Sequence, residues 1–140
     1  MKTKLEALAA VVMFASQTRS LVMRSNDGIK IAGLVDKARD ARTLLFDPAS
    51  DPNEDILEAF SLECLERNRG ETPEQLAQAI LAKANAVRSI RARIDGLEDR
   101  MKTAIEMAPN DELAVMTFEG ARQLALAQLA PLGIKEEMYL

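Results

Sequence analysis

A chain of 140 residues, 48% hydrophobic but only 4% aromatic, carries enough apolar material for a core and builds it mainly from alanine, leucine and methionine, residues that favour helices. Its net charge of −4 argues against a duplex-binding surface, which is ordinarily basic, and the absence of histidine removes the commonest general base and metal ligand. A single cysteine, Cys64, excludes an intrachain disulfide and fits a reducing compartment.

The N-terminal stretch MKTKLEALAAVVMFASQ holds nine successive apolar residues, Ala7 to Ala15, behind Lys2 and Lys4. That is about half of the roughly 20 needed to span a bilayer. An export signal would share the basic start, but Glu6 and the missing A-x-A cleavage pattern fit it poorly. Met1, Leu5, Leu8, Val12, Ala15 and Val22 recur at helical steps past the end of such a signal, so the stretch reads as a first core helix from about Thr3 to Arg24. It is more apolar than one stripe requires, which implies cover on at least two sides. This reading puts the protein in the cytoplasm, or in an assembly made there, with export as the alternative.

Ser25-Asn26-Asp27-Gly28 is a turn cluster that ends the first helix. A second helix follows from about Ile29 to Leu45, its apolar stripe being Ile31, Leu34, Val35, Ala38, Ala41 and Leu45. The two Asp-Pro steps in FDPASDPNED interrupt helix. Asn53 then suits the N-cap of a third helix running to about Asn68, with Ile56, Leu57, Phe60, Cys64 and Leu65 facing inward and Gly70 at its C-terminal end.

The clearest start signal is ETPEQ, where Thr72 and Gln75 form a capping box around Pro73. No breaker follows until Pro109, so residues 73–108 read as one coiled-coil-like helix of about 35 residues, roughly 52 Å long. A compact domain of this size is about 37 Å across, so the sequence predicts an elongated bundle, a projecting helix, or a kink at Gly96. Leu76, Ile80, Lys83, Val87, Ile90, Ile94, Leu97, Met101, Ala104 and Ala108 alternate steps of four and three, a heptad pattern broken only by Lys83. Such a seam reads as a bundle interior, with a self-associating coil as the alternative. The alanine-rich half, LAQAILAKANAV, reads as the part covered by several helices, and the Arg91 to Lys102 half as the part that stands out.

Asn110 caps a fifth helix that runs to about Ala130, with Leu113, Met116, Phe118, Ala121, Leu124, Ala125 and Leu129 on its apolar face and Pro131 and Gly133 closing it. The tail ends Met138-Tyr139-Leu140, an apolar terminus suited to packing on the bundle or on a partner.

Residues that could carry chemistry are better explained by structure. Asp47, Asp51, Asn53, Glu54 and Asp55 lack the spacing and central glycine of a calcium loop. The acidic pairs lie on wet helix faces, where Glu63–Arg67, Arg91–Asp95 and Glu98–Lys102 have ion-pair spacing. Cys64 sits on an apolar stripe with no histidine to activate it. Arg88, Arg91, Arg93 and Arg100 could meet phosphates, but interleaved acids and the missing aromatic platform oppose a nucleic-acid role.

The expectation is therefore an all-α protein, one helical domain over residues 1–140, an elongated bundle of four to five helices without catalytic, metal or cofactor residues. Its function would be structural, or that of an assembly or adaptor protein acting through helical protein contacts, as a small virion or tail component or an assembly chaperone does. The contact residues would be Val87, Ile90, Ile94, Leu97 and Met101 on the long helix and Met138, Tyr139 and Leu140 in the tail. A small regulatory protein, an inhibitor or secretion-type chaperone that binds one larger target, is the alternative.

Overall fold

The computed structural model describes residues 1–25, 31–47 and 53–139. Among these residues there are five α-helices and no strand: α1 (Lys4–Ser25), α2 (Ile31–Phe46), α3 (Asn53–Arg67), α4 (Pro73–Glu106) and α5 (Asp111–Leu129), with 3₁₀ turns at Ala130–Leu132 and Glu136–Met138. The protein is thus an all-α bundle whose long helix has 34 residues. The predicted turn cluster beyond Ser25, the Asp-Pro stretch at residues 48–52, Leu140, and the side chains of residues 23–25, 31, 32 and 53, Ile31 of the predicted stripe among them, lie outside the described residues.

Local signals set the helix ends. At the start of α4, the Gln75 amide donates to Thr72 Oγ1 (3.1 Å) and the Thr72 amide donates to Gln75 Oε1 (2.9 Å), the reciprocal capping box. At α5 the Leu113 amide donates to Asn110 Oδ1 at 2.8 Å. The end of α4 is closed from a distant part of the chain. The Lys4 ammonium donates to the carbonyls of Glu106 (3.2 Å) and Ala108 (2.7 Å), placing a cation where the helix dipole is negative and carbonyls lack helical partners. Lys4 therefore has a structural partner, where a lysine near an exposed terminus needs none.

The chain divides into two compact units, residues 29–88 and residues 1–28 with 89–140. The chain passes between the units twice: once inside the continuous α4, between Arg88 and Ser89, where no proline- or glycine-rich linker marks the passage, and once between residues 28 and 29, which lie outside the described residues. In the unit of residues 29–88, Leu34, Ala38, Ala41 and Leu44 of α2 and Phe60 and Cys64 of α3 close on Leu76, Ala77, Ile80 and Val87 of α4. In the other unit, Ala7, Val11, Phe14, Ala15 and Val22 of α1 pack with Ile94, Met101 and Ile105 of α4 and with Ala114, Phe118, Ala125, Leu126 and Leu129 of α5. Each large side chain buried this fully contributes about 1.5–3 kcal/mol of transfer free energy. Gly133, in the left-handed region at φ 88°, turns the chain after α5 so that Ile134 enters the same core.

Most members of the stripes read from periodicity are buried, among them Ala15, Val22, Leu34, Ala38, Ala41, Phe60, Cys64, Phe118, Ala125 and Leu129, but several individual members face outward. On α1 the inward residues are Ala7, Val11, Phe14, Ala15 and Thr18, whereas Leu5, at 77% exposure, and Val12 point outward. Val35 of α2, Leu57 and Leu65 of α3, and Leu113, Met116 and Leu124 of α5 are likewise exposed. These helices are apolar on more than one side, so helical spacing admits more than one stripe, and the neighbouring helices select among them. On α4 the alanine-rich half is covered on one side only, with Ala79, Ala82 and Ala86 exposed, while Ile94, Met101 and Ile105 of its second half are buried.

Candidate functional site

The heptad seam of α4 is filled by the chain's own helices. Val87 (6% exposed) belongs to the core of residues 29–88, and Ile94 and Met101 (2% each) belong to the core of the other unit, with Ile90 and Leu97 half-buried against it. In this conformation the seam faces inward, onto side chains of the protein's own helices.

The tail is also engaged. The Tyr139 ring meets Phe14 of α1 edge to face, with centroids 5.2 Å apart and planes inclined by 75°. The Tyr139 and Thr18 hydroxyls are hydrogen-bonded. The Arg122 guanidinium of α5 lies over both rings, 5.6 Å from Phe14 and 5.8 Å from Tyr139, and forms an ion pair with Glu136 at 3.5 Å. Met138 remains partly exposed.

The ionic contacts differ from those read by spacing. Glu98–Lys102 is present at 3.8 Å. Asp95 and Glu98 both take the guanidinium of Arg19, at 2.8 and 3.0 Å, which explains an arginine within the apolar α1. Glu63 pairs with Lys37 of α2 at 2.6 Å, and Arg67 pairs with Glu71 at 2.9 Å. Packing brings Arg19 and Lys37 of neighbouring helices within reach of Asp95, Glu98 and Glu63, while Glu98–Lys102 and Arg67–Glu71 are pairs at four-residue spacing. Cys64 lies on the inner side of α3, and burial, with the nearby Glu71 charge, pushes its thiol pKa above the ordinary value. That disfavours a thiolate nucleophile. Among the described residues no group of three His, Cys, Asp or Glu side chains could hold a metal ion.

The surface left available has a different source. The outer side of α1 presents Leu5, Ala9, Val12, Met13, Ser16 and Ser20, all exposed and uncharged, opposite the buried face. Periodicity missed this face because it assigned Leu5 and Val12 to the core, and the signal that pointed to it was the excess of apolar residues. By length and composition the segment Lys4–Val22 could cross a membrane, and one third of it is buried inside the protein. These observations define an all-α protein with accessible apolar residues on its helix faces. Compared with protein-family models, curated proteins and solved structures, the chain matches none.

Proposed function

We propose that the chain is a non-enzymatic structural or assembly protein that works through helix-to-helix contacts between copies of itself, with the outer side of α1 as the contact face. The observation that carries this reading is the exposure of Leu5, Val12 and Met13 on the side of α1 opposite its buried face. Scattered exposed apolar residues are ordinary, whereas an aligned set is a mark of an interaction surface. A second copy is favoured as occupant because a two-fold contact sets each patch against itself. The uncharged outer side of α1 tolerates that pairing. Ala9 and Ser16, seven residues apart, allow close approach of the two helices.

Light scattering of the purified protein over a concentration series tests the proposal. The expected result is a dimer or larger assembly that Met13→Glu dissociates while the far-ultraviolet circular dichroism stays unchanged. A monomer at every concentration overturns it.

A further inference from the structure

A second surface, in the unit formed by residues 1–28 and 89–140, has a different chemistry. α4, α5 and the turn after α5 enclose an open groove of about 510 Å³ lined by Arg93, Gly96, Leu97, Arg100, Gln128, Leu129 and Leu132. Leu97, Leu129 and Leu132 make its apolar floor. Gly96 leaves a notch, since a Cβ added there would meet nothing within 4 Å. Arg93 and Arg100 stand on the rim, both exposed. Elsewhere in this unit Arg19 holds Asp95 and Glu98, and Arg122 holds Glu136. Among the described residues neither Arg93 nor Arg100 has an acidic partner.

Arg93 and Arg100 are seven residues apart, two helical turns or about 10.5 Å along α4. A single anionic headgroup would use one of them. A partner helix repeats its face with the same two-turn rise, so carboxylates at its positions i and i+7 meet both arginines while the apolar residues between them reach the floor. The Gly96 notch lets the backbone of such a helix come close. We infer that this groove takes an acidic amphipathic helix of a protein partner, its apolar stripe on Leu97, Leu129 and Leu132 and its two carboxylates on Arg93 and Arg100. The site does not depend on the outer side of α1 and would operate in a monomer as well as in an assembly.

The probe is a fluorescently labelled helical peptide with Glu at i and i+7 and Leu at i+3 and i+4, and its binding to the full chain is read by fluorescence anisotropy. Saturable binding is expected, weakened about tenfold by Glu→Gln in the peptide or by Arg93→Glu with Arg100→Glu in the protein. A peptide with Lys in place of Glu should regain binding to that double variant. Gly96→Leu should fill the notch and abolish binding without lowering Tm, because the space is open and leucine favours helix more than glycine does. Three results would overturn the inference: no saturable binding at millimolar peptide, equal binding of the Gln peptide, or unchanged binding by Gly96→Leu. Stoichiometric displacement of the peptide by decanoate would also overturn it, by identifying the groove as a site for anionic lipid.

Discussion

The phenol of Tyr139 donates a hydrogen bond to the hydroxyl of Thr18 on α1, and its direction follows from the other contact of Thr18. A threonine hydroxyl has one hydrogen to donate, and Thr18 directs it to the Phe14 carbonyl at 2.8 Å. Its oxygen can then only accept from Tyr139. The C-terminal turn is thereby held to a point midway along α1, 121 residues earlier in the chain.

Removing that hydroxyl should destabilise the protein modestly. Tyr139→Phe keeps the ring on Phe14 and loses one hydrogen bond, a cost of about 1 kcal/mol. Tyr139→Ala also loses the edge-to-face contact and the Arg122 stack, and should cost about 2 kcal/mol or more. Chemical denaturation of the three proteins checks the order, and equal midpoints for wild type and Tyr139→Ala would show that the tail is not held.

The same contact sets an alkaline limit. Burial is the main cause raising the Tyr139 pKa above its ordinary value of 10.0, and the Arg122 charge pulls it down. A phenol whose folded pKa is raised stabilises the fold fully below the unfolded value, and that contribution is lost as pH rises through the folded one. Wild type should therefore lose its advantage over Tyr139→Phe as pH rises above 10.0. Thermal melts of both proteins from neutral to alkaline pH measure the gap, and a gap constant with pH contradicts the assignment.

Burial rather than apolarity should govern the response of the helices to truncation. Ile94→Ala opens a cavity in a packed core and should cost about 2–5 kcal/mol. Leu5→Ala removes an exposed side chain and should change monomer stability by less than about 0.5 kcal/mol. Denaturant unfolding at a concentration low enough to avoid association gives both values, and a large loss for Leu5→Ala would place that residue inside the core.

Cys64 should be inert in the folded protein. It is buried on α3 and its thiol pKa is raised, so little thiolate forms at neutral pH. A disulfide reagent such as dithiobisnitrobenzoate should label it slowly in buffer and within seconds in denaturant. Equally fast labelling in both would mean that the core of residues 29–88 opens freely.

Helix existence and most helix ends are legible in the chain because they are local. Thr72 with Gln75, and Asn110 ahead of Asp111 and Glu112, satisfy or neutralise helix termini using neighbours three residues away. The heptad from Leu76 to Ala108 is legible for the same reason, since one side of a long, otherwise polar helix stands out by spacing alone.

What each apolar face meets is not local, and only the tertiary structure decides it. In α1 the apolar residues surround the axis, so Phe14 and Leu5 are equivalent by composition; Phe14 is buried because Tyr139, Arg122 and Ile94 lie on its side. Ion pairing follows the same logic, for Asp95 lies within reach of Arg91 in sequence but is paired with Arg19 once α1 lies alongside. Spacing left the seam to either a bundle interior or a partner, and the chain's own helices fill it, while the rim pair of Arg93 and Arg100 emerges only when α5 supplies part of the floor between them. Caps, breakers and periodicity thus determined which segments are helical. The packing of those helices decided which faces remain for another molecule, because burial is a property of neighbours brought together from distant parts of the chain.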